Sequence, residues 1–178
     1  MPSVSTSPKT DDNAERGPAP AQKITPMLWF DDKAEEAANF YTSLFPNSRI
    51  LSVARYGEGA PAPAGSVMVA SFQLAGQEFV ALNGGPHFKF NEAISLVINC
   101  DTQEEVDRYW EKLTADGGQE SQCGWLKDKY GLSWQVTPKI LIQLVQGPDK
   151  EKAARVFQAM LKMKKIDIPT LLEAAEQK

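Results

Sequence analysis

The sequence predicts an α+β fold: two paired βαβββ modules forming a curved mixed sheet with a cleft, followed by C-terminal helices. Three observations carry this prediction. A strand, an acidic cap and an amphipathic helix occur twice in the same order, once from Lys23 and again from Ala93. Each set runs on into alternating apolar stretches around glycine-containing turns, the pattern of β-hairpins. Beyond Gly147-Pro148-Asp149 the apolar residues change to helical spacing.

Lys23 to Phe30 reads as a strand ended by Asp31 or Asp32. Asp32 and Glu35 have capping-box spacing and open a helix to about Phe45. Its apolar positions Ala34, Ala37, Ala38, Tyr41 and Leu44 follow the 3.6 period. Pro46 and Asn47 stop it. Arg49 to Tyr56 alternates as a strand, and Gly57 to Gly65 is a flexible loop. Val67 to Leu74 and Gln77 to Leu82 form a hairpin about Ala75-Gly76, and Asn83-Gly84-Gly85-Pro86 breaks the chain.

The order then restarts. Ala93 to Asn99 is a strand, Asp101 and Glu104 repeat the cap spacing, and the helix to Ala115 places Val106, Tyr109, Trp110 and Leu113 on one face. Setting Leu28 against Val97 also sets Asp32 against Asp101, Tyr41 against Trp110 and Leu44 against Leu113. Gly76 to Phe79 mirrors Gly131 to Trp134. Such agreement across strand, cap and helix face reads as an internal repeat. Cys123 to Pro138 (CGWLKDKYGLSWQVTP) is the second hairpin, with Trp125 and Trp134 on its arms. After Gly147-Pro148-Asp149, one amphipathic helix carries Ala153, Val156, Phe157 and Met160, and a last short one carries Leu171, Leu172 and Ala175. These stripes either cap the sheet of their own chain or pack across a dimer.

The domain boundaries follow: a disordered tail over 1–22, the paired modules over 23–139 (about 23–85 and 91–139), and a helical extension over 140–178. The tail is Ser, Thr, Pro, Ala and charge without an aromatic, too polar to offset its ordering entropy. With 178 residues, 42% of them hydrophobic, the chain can bury one core. A net charge of −4 without a basic stripe argues against nucleic acid as a partner. No apolar run approaches the ~20 residues that span a bilayer, so no membrane is expected. Two cysteines, Cys100 and Cys123, suit free thiols in a reducing compartment, hence a cytoplasmic protein.

Four stretches together resemble a known family: WFDDKAEEAANFYTSLFPNS, AISLVINCDTQEEVDRYWEKL, CGWLKDKYGLSWQVTP and AARVFQAMLKMKKIDIPTLLEA. They are similar to the PhnB-like branch of the vicinal oxygen chelate superfamily, which includes glyoxalase I, extradiol dioxygenases and bleomycin-resistance proteins. The branch is also labelled 3-demethylubiquinone-9 3-methyltransferase. The resemblance covers Lys23 to about Ala175. It implies paired βαβββ modules; separately, open sheets and apolar C-terminal stripes point to a homodimer, and the cleft between repeated modules to a small-molecule ligand. A Rossmann-type methyltransferase needs a Gly-rich loop between its first strand and helix. Phe30-Asp31-Asp32-Lys33 stands there instead, so methyl transfer is not expected.

Superfamily enzymes hold a divalent cation on inward strand positions, which by alignment fall near Pro26, Ala81, Ala93 and Gln135. Three of these cannot ligate. Sliding the strands offers Thr25, Asn83, Glu92, Ser95 and Gln135, of which only Glu92 is anionic. The expectation is therefore no metal site and no cofactor.

Candidate ligand-binding residues are Trp29, Asn83, His87, Ser95, Cys123, Trp125, Trp134 and Gln135. Each has a plainer reading. The tryptophans equally suit core or dimer interface, Cys123 an inert thiol, His87 a solvated loop, and Asn83 with its glycines the turn between modules. Three functions stay open: metal-free small-molecule binding, favoured here; an enzyme of the same superfamily of lyase, isomerase or dioxygenase type, with a degenerate oxygen-ligand site or a recruited His87; and a structural dimer whose tryptophans fill the cleft.

Overall fold

The computed structural model describes residues 22–177. The first module is β1 (Met27–Phe30), α1 (Ala34–Leu44), β2 (Arg49–Arg55), β3 (Val67–Leu74) and β4 (Gln77–Asn83). The second is β5 (Leu96–Cys100), α2 (Gln103–Thr114), β6 (Gln119–Glu120), β7 (Trp125–Lys127) and β8 (Ser133–Pro138). Then come α3 (Lys139–Val145), α4 (Lys150–Met160) and α5 (Ile168–Glu176). Each module holds an open four-stranded mixed sheet, in the orders β1-β4-β3-β2 and β5-β8-β7-β6. In both, the first strand runs parallel to the last and the other neighbours are antiparallel. The βαβββ repeat read from the pattern is therefore a repeat of topology.

Its register needs one correction. In the helices Ala37 corresponds to Val106 and Tyr41 to Trp110, all buried. In the strands, however, buried Leu28 and Phe30 correspond to buried Ile98 and Cys100, while Val97, the partner expected for Leu28, is 49% exposed. The strand-to-helix turn is Asp31-Asp32-Lys33 in the first module and only Asp101-Thr102 in the second. Losing one residue there displaces the strand, and a displacement of one puts every side chain on the other face.

The caps also differ from expectation. The residue before α1 is Lys33, which makes no capping bond; Asn83 Oδ1, reaching over from β4, accepts from Ala34 N–H at 2.7 Å. Thr102 caps α2 by accepting from Glu105 N–H, and Glu105 returns to accept from Asp101 N–H at 2.7 Å, a capping box one residue later than Asp101 with Glu104. The opening strand is shorter than Lys23 to Phe30, and the fifth starts at Leu96 rather than Ala93. Helix α3 follows β8 directly, where helical spacing was too brief to recognise. Of the tail expected over 1–22, only Gln22 falls among the described residues. Its side-chain amide bonds both backbone groups of Glu78 at 2.9 Å.

Alanines at 34, 37 and 38, all fully buried, bring α1 close against its sheet, and Tyr41 and Phe72 fill the space beyond. One core joins the modules. Phe45 stacks on Tyr109 and Trp134 at 4.9 and 5.8 Å between centroids, and Tyr41 meets Trp134 at 5.4 Å. The C-terminal helices form a smaller core of Leu141, Val156, Ile166, Leu171 and Ala175. They dock on the second module of their own chain: Cys123 N–H and Gly124 N–H donate to Met163 and Lys164 carbonyls, and the Gln103 side chain bonds Ile166 O and Ile168 N–H. Gly124 sits at φ +83 with Val136 O only 2.8 Å from where a Cβ would stand, so the docking needs glycine there. Among the described residues, no helix is long and apolar enough to cross a membrane.

Candidate ligand site

Strand alternation sorts the candidate residues by face. In the second sheet Leu96, Trp134 and Leu126 share one face, and Val97, Gln135 and Trp125 share the other. The first of these is packed against α2; the second is open. Ser95, two residues before Val97, belongs to the open face, and Gln135 Nε2 donates to Ser95 Oγ at 2.9 Å. Lys127 lies directly across from Ser133 on that face. Trp125, Lys127, Ser133 and Glu92 line a pocket of about 390 Å³, and the Lys127 ammonium pairs with the Glu92 carboxylate. Ser133 is 1% exposed and its Oγ has no hydrogen-bond partner.

Trp29 occupies the open face of the first sheet. Its Nε1–H donates to Gly85 O at 2.9 Å, Gly84 presses on its ring, and Phe88 meets it edge-on at 4.9 Å. Together with Lys89, Lys127, Lys129 and Tyr130 it walls a second pocket of about 390 Å³. His87 is exposed, in a different pocket of about 750 Å³ at the N-terminal end of α1, shared with Asn83, Asp31, Asp32 and Tyr56.

Asn83 points toward α1, with both ends of its amide in use: Oδ1 caps the helix, and Nδ2 donates to Val67 O at 3.1 Å. Replacing Asn83 by alanine is expected to cost about 1–2 kcal/mol of unfolding free energy, as loss of a helix cap does. Urea denaturation checks this, and an unchanged midpoint would remove Asn83 from the structural account.

Trp134 is 2% exposed and its indole N–H donates to Asp128 Oδ2 at 2.8 Å. It also forms part of the wall of a cleft of about 450 Å³ between the modules, together with Ser95, Phe45 and Tyr109. Cys123 is half-buried with φ +58, and its backbone holds the Met163 segment. Cys100 is buried, and burial with the nearby Glu105 charge pushes its thiol up to about 12, so no thiolate forms there near neutrality.

The eight candidates thus fall on several surfaces. Ser95 and Gln135 are bonded together with Trp125 on their face, Asn83 and His87 share a separate pocket, and Trp29 stands on the first sheet. Of the positions considered for a metal, Ala81 and Asn83 face α1, so neither reaches the open face. Among the described residues, no three His, Cys, Asp or Glu side chains gather to hold a metal ion. The residues that sequence reasoning passed over are Lys127 and Ser133 as site residues, and Asp128. The signal for the first two was present: Ser133 lies two residues from Gln135 and so shares its face. Nothing local marks Asp128, whose partner Tyr41 lies in the other module.

A family model described as 3-demethylubiquinone-9 3-methyltransferase matches residues 22–137. A structure described as a 3-demethylubiquinone-9 3-methyltransferase, PhnB protein, from Bacillus cereus is 46% identical, with a TM-score of 0.61 over 66% of this chain and 99% of that one. The structure of protein PA1353 from Pseudomonas aeruginosa is 21% identical, with a TM-score of 0.55 over 66% of this chain and 98% of that one, a likeness of fold. No curated protein matches the sequence.

Proposed function

The chain belongs to the 3-demethylubiquinone-9 3-methyltransferase family, the PhnB-like branch of the vicinal oxygen chelate superfamily, and from that premise we propose that it binds a small molecule on its open sheet face without a metal. The observation that carries this reading is the Gln135–Ser95 pair. Divalent cations need anionic or imidazole ligands with free lone pairs. Here the equivalent face offers a neutral amide and a hydroxyl already bonded to one another and a single carboxylate, that of Glu92, already paired with Lys127, while the first sheet offers Trp29 and Leu82. That donor set does not fit a cation. It does fit a ligand with polar groups, since the pair keeps an amide carbonyl and a hydroxyl proton to offer, beside the flat face of Trp125. The glycine-free turn at Asp31-Asp32-Lys33 and the mixed sheet also speak against methyl transfer.

A second copy completes the reading. Ile24, Met27, Ile94 and Val97 are between 49% and 84% exposed near the open faces, and apolar surface of this kind is commonly covered by a symmetric partner. The free thiols Cys100 and Cys123 suit the cytoplasm.

The test is thermal unfolding of the purified protein with Mn²⁺, Ni²⁺, Zn²⁺ or EDTA, then with a panel of small molecules. The expected result is no response to metal or chelator and a rise with one compound class. A ligand at 100 times its Kd adds about 2.7 kcal/mol. A metal-dependent rise of several degrees that Gln135→Ala abolishes would replace this reading with that of a metal-dependent enzyme.

A further inference from the structure

We infer that the open face of the second sheet seats a carboxylate of its ligand on Lys127 and Ser133, and that Glu92 keeps this seat closed in the free protein. The inference rests on the metal-free binding reading above and adds a ligand class and a regulatory contact to it.

The seat is made by register. Lys127 and Ser133 oppose one another across β7 and β8, on the same face as Trp125 and Gln135. An ammonium and a hydroxyl side by side are donors that converge on an acceptor with two oxygens. The hydroxyl is otherwise unexplained: Ser133 is 1% exposed and its Oγ is unpartnered. A buried polar atom in that state costs free energy until a partner arrives, and such atoms ask for a reason.

Lys127 is already occupied by a carboxylate, that of Glu92. Glu92 comes from the connection between β4 and β5, where the chain has no helix or strand, and its side chain is 65% exposed. An exposed ion pair of this kind contributes little to stability, so an incoming carboxylate can displace it at small cost. Glu120 lines the same pocket but is engaged elsewhere. Its carboxylate takes the Trp110 Nε1–H at 2.9 Å and the Lys164 ammonium at 3.3 Å. Glu92 is therefore the negative charge that has to move. The pocket of about 390 Å³ also contains Trp125, whose ring offers a flat wall. The ligand class is a small carboxylic acid with a planar apolar body.

The experiment compares benzoate with its neutral isostere benzamide, by NMR titration at low salt in the presence of EDTA. It uses the full chain and the variants Glu92→Gln, Lys127→Gln and Ser133→Ala. Removing the tethered competitor should tighten benzoate binding about two- to fivefold in Glu92→Gln and leave benzamide unchanged. Lys127→Gln should abolish the preference for benzoate. Ser133→Ala should weaken benzoate severalfold without lowering the unfolding midpoint, because the unpartnered hydroxyl is gone. Benzoate affinity that stays flat or falls in Glu92→Gln overturns the inference, as does benzamide gaining equally. If benzamide binds in EDTA while Glu92→Gln gives no gain, the metal-free reading stands and the carboxylate seat does not. If both compounds bind only once a divalent cation is added, the reading beneath it fails.

Discussion

Asp128→Ala is expected to lower the unfolding free energy by about 3–5 kcal/mol, because it strips the partner from four donors at once, three of them buried and one partly buried. Asp128 is 2% exposed. Its Oδ2 accepts from Tyr41 O–H at 2.7 Å and Trp134 Nε1–H at 2.8 Å, and its Oδ1 accepts from the Tyr130 and Leu132 amides at 2.9 and 3.1 Å. Burial pushes its carboxyl above the ordinary aspartate range, while these four donors pull it back. Burial and the adjacent Asp128 charge raise the Tyr41 phenol well above its usual value, so it remains a donor. The cluster ties α1 of one module to the β7–β8 hairpin of the other. Its loss should therefore loosen the junction of the modules and not merely one turn.

For a chain of this size that loss corresponds to a midpoint lower by roughly 6–20 °C. Asp128→Asn is the informative companion. The asparagine oxygen can keep the two backbone donors, but its NH₂ group then confronts the Trp134 N–H, so the loss should be about half as large. Calorimetry on both variants decides the matter. A loss below about 1 kcal/mol for Asp128→Ala would mean that the two modules hold together without this carboxylate.

Gly84→Ala should cost about 2–3 kcal/mol through overpacking. A Cβ there would stand 2.1 Å from Trp29 Cζ2 and 2.3 Å from Cε2. The indole cannot retreat cheaply, since its N–H is bonded to Gly85 O and Phe88 closes on its ring. The backbone at Gly84 is not left-handed, so the cost comes from space and not from dihedral preference. Expulsion of Trp29 should also red-shift its emission and open the pocket wall that it forms beside Lys89 and Lys127. Denaturation and fluorescence read the two effects separately. A variant as stable as the parent, with unchanged emission, would show that the connection at Gly84 yields freely.

Local pattern made much of the fold legible. The hairpin from Val67 to Leu82 could be read almost to the residue, because alternation, β-branched residues and Ala75-Gly76 all pointed one way. The helix faces were equally clear: Tyr41, Val106, Trp110 and Leu113 are buried as their spacing implied. Register was where reading failed. One residue fewer in the Asp101-Thr102 turn moved Val97 to the open face, and no periodicity within the strand reveals that. The capping of α1 failed for a related reason. Asp32 and Glu35 have the right spacing, but Asn83, far away in sequence, supplies the bond.

The site divides in the same way. The one-dimensional pattern determined that Trp125 and Lys127 share one side of their strand and Ser133 and Gln135 one side of theirs, since alternation along a strand depends on neighbours alone, while the pairing that brings the two sides together is set by register. Tertiary structure alone decided that Asn83 serves the helix, that Trp134 belongs to Asp128, and that Lys127 meets both Ser133 and Glu92. Those contacts join residues from different elements, and their geometry is set by strand pairing and module packing, which no local stretch of sequence encodes.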